Sequence, residues 1–165
     1  MGARIPLIIV GAILMFISLV FPTIFFPNVD GDYFGQEVDG SVYYGMAGQI
    51  LAWVIEETSY GFRYHTWYSS FRPDALGVSC MILIIVGGIL AIVLGNVTET
   101  KVAFIGGLLG LIGLFVFYGC IAGNILPTRV QPLVSDDYFP YPFVGFFICI
   151  VGSILALVGG TLEKY

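Results

Sequence analysis

Three cysteines and a single histidine are the residues of this 165-residue chain best suited to metal or redox chemistry. Cys80, Cys120 and Cys149 each lie in a long apolar run, with no histidine or carboxylate beside them to complete a ligand set. Thiols in such settings behave as small buried hydrophobes, so Cys-based metal or redox chemistry is a remote alternative. His65 has no nucleophile motif beside it and reads as an exposed strand residue. Asp30-Gly31-Asp32, followed by Gly35, Glu37 and Asp39, starts like a calcium loop. Phe34 stands where a third oxygen ligand belongs, and Ser41 replaces the closing glutamate, so a solvated acidic turn is expected. Asn96-Val97-Thr98 matches the glycosylation acceptor pattern but falls in a short turn expected inside the cell. No catalytic residue, metal or cofactor is expected, and the chain reads as a non-enzyme.

The composition explains why chemistry is so sparse. Hydrophobic residues make up 58% of the chain and charged residues only 10%, with mean hydropathy +0.97. Soluble domains carry roughly 25% charged residues. Six Lys and Arg against eleven Asp and Glu give a formal charge of −5, which excludes a basic nucleic-acid-binding face. The class is integral membrane, with lipids as the first partners.

Four stretches contain no ionisable Asp, Glu, Lys, Arg or His: 5–29, 75–98, 102–128 and 138–162. Each exceeds the ~20 apolar residues that span a bilayer core. Helices are expected at 5–26, 76–94, 102–123 and 143–160, bounded by prolines or charges. The expected fold is an all-α integral membrane four-transmembrane-helix bundle with a small α+β extracellular cap. Its parts are 1–26 (N-terminus and first span), 27–75 (large outer loop), 76–94 (second span) and 95–101 (inner turn). Then follow 102–123 (third span), 124–142 (second outer loop), 143–162 (fourth span) and 163–165 (C-terminus). Arg4 before an apolar run has the look of a secretory leader, but the run is long and lacks a small-x-small cleavage site, so an anchor is expected. Arg4, Lys101 and Lys164 are concentrated on the terminal side, whereas Arg63, Arg72 and Arg129 are spread over long loops. The positive-inside rule then puts both termini in the cytoplasm, in a multi-pass protein of the plasma or cell membrane. Phe25, Phe26, Phe139 and Tyr141 are expected at the membrane interface.

Uncharged spans disfavour whole classes of function. Ionisable residues within the bilayer mark ion paths and proton relays, and paired histidines mark membrane haem sites; neither occurs here. What the spans do contain is a repeated block: 9–14, 85–90 and 150–155 all read Ile-Val-Gly-x-Ile-Leu. Small residues four apart let membrane helices approach closely. Gly11, Gly87, Ala91, Gly95, Gly106, Gly110, Gly152, Ala156 and Gly160 are therefore candidate helix-packing residues.

In the first outer loop, Asp39-Gly40 between apolar flanks signals a hairpin, 46–57 has apolar residues at helical spacing, and 60–68 alternates as a strand with one aromatic face. Such a cap of about forty-five residues is near the size that needs bracing, so it must lean on the bundle, the second loop or another protein. Tyr, Trp and Arg dominate binding hot spots; Trp53, Tyr60, Phe62, Tyr64, Trp67 and Tyr68 are candidate partner-contact residues.

Four spans, a large first outer loop with strand signals, a short inner turn and a smaller second loop resemble the claudin-type tetraspan membrane proteins. The likeness is one of layout: the loop holds Trp53 and Trp67, while the family's Gly-Leu-Trp and paired cysteines are not present. The layout implies a contact-forming or partner-regulating protein. The expected function is a non-catalytic tetraspan that packs laterally, with other membrane subunits or with itself, and touches partners through its aromatic cap as a structural component or accessory subunit. An oligomeric channel, with Asp30, Asp32, Glu37 and Asp39 at its mouth, is the alternative.

Overall fold

Long uncharged segments leave backbone N–H and C=O groups no partners in an apolar medium except each other, which favours helix. A computed structural model describes residues 4–33, 35–94, 100–123 and 138–162 and shows four such helices. They are α1 (Arg4–Ser18), α2 (Ala75–Ile89, continued by a π-helical turn over Leu90–Leu94), α3 (Thr100–Ala122) and α4 (Val144–Thr161). The stretches containing α2, α3 and α4 are long and apolar enough to cross a membrane, consistent with an integral membrane protein. α1 is apolar but only 15 residues long.

The all-α expectation is overturned by a five-stranded antiparallel sheet of order β4-β3-β2-β1-β5. Its strands are β1 (Ile24–Tyr33), β2 (Gln36–Tyr44), β3 (Gln49–Glu57), β4 (Arg63–Phe71) and β5 (Tyr141–Pro142). β1 to β4 form a meander, and β5, from the far end of the chain, adds beside β1 through Ile24↔Pro142 and Phe25↔Tyr141. The cap therefore contains strands where a mixed helix and strand arrangement was expected.

Each local departure has a physical cause. The 46–57 segment is not helical, because Ile50, Ala52 and Val54 turn inward while Leu51, Trp53 and Ile55 turn outward, the period-two pattern of β3. An unbroken Ile-Leu-Ala-Trp-Val-Ile run satisfies helix and strand templates alike. Asp39-Gly40 is not the hairpin turn. It falls inside β2, where the register shifts between Val38 and Val42 and Gly40 adopts φ 129°. The chain reverses instead between Tyr33 and Gln36. The first helix stops at Ser18 rather than near Phe26, and Pro27 lies within β1 at the register shift between Phe26 and Val29. Lacking an N–H, proline fits a strand where the ladder is already interrupted.

The helices form a closed ring in which α1 and α3 each touch α2 and α4. Gly11 meets the Gly152–Ala156 segment of α4 so closely that a Cβ on Gly11 would come 2.6 Å from the Ala156 nitrogen. Gly87 on α2 faces Gly106 and Gly110 on α3, and Ala91, fully buried, lies against Gly106. Gly107 on α3 packs on the Ser153 carbonyl of α4. Met15 projects between Gly87 and Gly110. Gly160 is buried on α4; Gly95 lies outside the described residues. Ile13, Val86, Leu108, Val151 and similar side chains point away from the ring.

A dense seam fixes sheet to helices. Thr23 N donates to Tyr44 O and Phe143 N to Thr23 O, each at 2.9 Å, and Arg72 N donates to Gly48 O at 2.7 Å. The Tyr44 ring is buried and stacks on Phe117 of α3, with centroids 6.1 Å apart, while its hydroxyl donates to an Asp74 carboxylate oxygen. The other Asp74 oxygen accepts from Gly77 N at 2.7 Å, capping α2. One carboxylate thus satisfies an orphan donor of the helix and holds the end of β2.

Two outcomes follow for stability, read by thermal unfolding in detergent or nanodiscs. Gly11→Ala forces a methyl against backbone and costs about 1–3 kcal/mol, whereas Gly119→Ala, with nothing within 4 Å of the added atom, is neutral or stabilising by up to about 1 kcal/mol. Tyr44→Phe removes a hydrogen bond to a carboxylate and costs about 1.5–3 kcal/mol.

Candidate interaction surface

Residues opposite one another in an antiparallel ladder share a face, so the register defines the sheet's outward surface. The row nearest the helices runs Tyr141, Phe25, Tyr43, Leu51 and Ser69. Next comes Trp53 opposite Trp67. Farther out are Asp32, Glu37, Ile55 and His65 in one row and Glu57 opposite Arg63 in another, while Asp30 faces Asp39 on β1 and β2. The inward face carries Ile24, Phe26, Val42, Tyr44, Ile50, Ala52 and Val54, all buried.

The outward rings form a continuous chain. Phe25 lies 6.0 Å from Tyr43, and Phe143 lies 5.4 and 5.0 Å from the two. Tyr43 is 6.2 Å from Trp67, which is 4.9 Å from Trp53, and Trp53 stacks on His65 at 5.8 Å with planes 21° apart. These separations fall in the attractive range for aromatic pairs. Gly40 lies beside the Trp53 indole, where a Cβ would make only ordinary contact, 3.4 Å from Trp53 Cδ1; its φ of 129° is what favours glycine there. Phe139 and Tyr141 extend the band beyond Phe25. Of the expected interface aromatics, Phe26 is instead fully buried in the core.

Charge lies beyond the rings. The Arg63 guanidinium bonds both oxygens of Glu37, and this hydrogen bonding, then the Glu37 charge, raises Arg63 further above its already high value. His65 Nε2 is 4.0 Å from Asp39 Oδ2.

The six aromatic contact candidates do not share one strand face. Trp53 and Trp67 come together outward. Tyr64 and Tyr68 occupy the opposite side of β4, where Tyr64 donates to Glu56 at 2.7 Å and Tyr68 accepts from Arg72 Nη2 at 3.2 Å. A Ser70 hydrogen bond, then Arg72, pulls the Tyr68 hydroxyl below its usual pKa. Tyr60 and Phe62 precede β4 altogether, on the β3–β4 turn, and are 87% and 73% exposed. That turn is closed by Thr58 N to Phe62 O and Gly61 N to Thr58 O, both 2.8 Å, and by Phe62 N to Thr58 Oγ1 at 3.1 Å. Gly61 supplies the positive φ, 81°, that the turn requires.

Sequence reasoning missed Tyr43, Phe25 and Phe143 as members of the band: Val42-Tyr43-Tyr44 does not alternate in residue type, and only the strand register turns Tyr43 outward beside Phe25. An open groove of about 470 Å³ adjoins the band near the helices, with Val20, Leu51 and Phe71 in its wall. Cys80 and Cys149 are buried, Cys120 is half-buried, and all three are free. Among the described residues, no three His, Cys, Asp or Glu side chains gather as a metal ligand set. The surface is equipped for contact through rings and charge. No protein-family model matches this chain, and no curated protein matches it.

Glu56 raises the Tyr64 pKa through the hydrogen bond first and its charge second. A raised tyrosine pKa favours the folded hairpin fully below the ordinary value near 10, and that contribution fades as pH rises through the raised value. Glu56→Gln is expected to move one phenolate transition downward in a difference titration of tyrosinate absorbance against wild type.

Proposed function

We propose that this chain is a non-catalytic tetraspan of the plasma or cell membrane, with both termini cytoplasmic, that binds other proteins through its outer sheet. α1 supplies the fourth crossing in this reading: it is short, but it packs along α4, and the apolar residues Leu19, Val20 and Phe21 lengthen its hydrophobic stretch. The long first loop that supplies most of the sheet supports a claudin-like layout. Lateral packing with further subunits draws on the apolar residues that face away from the helix ring.

The observation that carries the contact reading is the pair Tyr60 and Phe62, held almost fully in solvent by a turn with three internal hydrogen bonds. Large apolar side chains gain roughly 1.5–3 kcal/mol each on full burial. A rigid turn also loses little conformational freedom on binding. The tip and the Trp53–Trp67 band together provide the aromatic anchors on which binding energy concentrates.

A photoreactive phenylalanine analogue at position 62 or 67, in native membranes, is expected to give discrete protein adducts. The same group at Phe147, which points out from α4, controls for lipid-side neighbours. Tyr60→Ser with Phe62→Ser should leave stability within about 0.5 kcal/mol while abolishing the adduct at position 67. No protein adduct from either site overturns the proposal.

A further inference from the structure

Resting on that reading, we infer that the outward sheet face binds a cationic protein segment, one rich in arginine or lysine and long enough to cover both the aromatic band and the acids beyond it. By register, this face carries Asp30, Asp32, Glu37, Asp39 and Glu57 against one guanidinium, Arg63. Asp30, Asp32, Asp39 and Glu57 are exposed, and Glu37 is committed to Arg63. The arrangement opposes the sheet's own stability. Asp30 lies directly opposite Asp39 and Asp32 directly opposite Glu37, and like charges in cross-strand pairs are destabilising. Arg63 already offsets the charge of Glu37, so a basic partner acts chiefly on the Asp30–Asp39 pair and on Asp32.

Three features select that occupant. A second copy of the same face would set acid against acid, which charge complementarity forbids. The described residues form no three-ligand metal group, so the acids are spread as a surface rather than gathered as a cage. The Trp53, Trp67 and Tyr43 rings beside them suit guanidinium and ammonium groups, which are drawn to aromatic faces. A chain with alternating side chains spaced about 7 Å apart, as in an extended strand, meets both kinds of group along the rows.

The chain's two tryptophans are Trp53 and Trp67, so intrinsic fluorescence reports on this face without a label. The experiment uses the full chain in zwitterionic nanodiscs, titrated with a nine-residue peptide alternating arginine and threonine. Glutamate and glutamine versions of the peptide serve as comparisons. The arginine peptide is expected to change tryptophan emission saturably, with affinity falling as salt is raised. Asp30→Asn with Asp32→Asn should weaken binding about fivefold and at the same time raise the thermal unfolding midpoint. A purely structural role for these acids would not give those opposite signs. Equal binding of the three peptides overturns the charge assignment and leaves the contact reading standing. No saturable response to the arginine peptide also overturns the inference. Photo-crosslinking at position 62, which does not depend on charge, then decides the contact reading by itself.

Discussion

The hydrogen bond from the Tyr44 hydroxyl to Asp74 is where two different structural economies meet. The helices satisfy their backbones internally, whereas the sheet satisfies its own only between strands, four consecutive ones and β5 from the far end of the chain. Asp74 belongs to both systems, capping α2 with one oxygen and anchoring the end of β2 with the other. Around it, backbone bonds from Thr23, Phe143 and Arg72 fix the sheet to the helix ends. The aromatic face is therefore carried on a braced platform, which allows a small cap without a disulfide to present a defined surface.

Below the seam, packing is governed by how closely backbones approach. Helices in lipid gain little from hydrophobic association, so contact area and fit must hold them together. Gly11 against Gly152 and Ala156, Gly87 against Gly106, and Gly107 against Ser153 bring main chain to main chain on successive sides of the ring. Met15 fills the centre with a flexible side chain suited to an irregular gap. Glycines of one helix are not equivalent: a Cβ added at Gly106 would meet backbone of α2, whereas one added at Gly119 would meet nothing within 4 Å. Position around the helix separates them, and composition does not record it.

Much of the helical half was legible because charge-free runs longer than twenty residues have few other uses. The first run was the exception. Its apolar residues continue through Phe26, but Pro22, Pro27 and the ladder with β2 convert the last third into turn and strand. The outer loop was harder to read. Residues 50–55 are apolar without a break, so local pattern could not separate a helix from a strand with one face on a core and the other on an aromatic band. Asp39-Gly40 carried a strong turn signal yet serves as a bulge, because β3 offers a partner on both sides of it. The candidate site was legible as residue types and not as a grouping. Trp53 and Trp67 are fourteen positions apart and become neighbours only through the β3–β4 register.

By itself, the sequence determined the solvent: uncharged runs bounded by prolines and charges require an apolar surrounding for most of the chain. It also determined that the segments between those runs are rich in aromatic rings and carboxylates. Tertiary structure decided which rings act together, that β5 returns from the C-terminal half to pair with β1, and which carboxylates stand opposite one another. Those are properties of strand register, within the meander and between β1 and the distant β5, where a shift of one residue moves every side chain to the other face. No local pattern of residues encodes that choice.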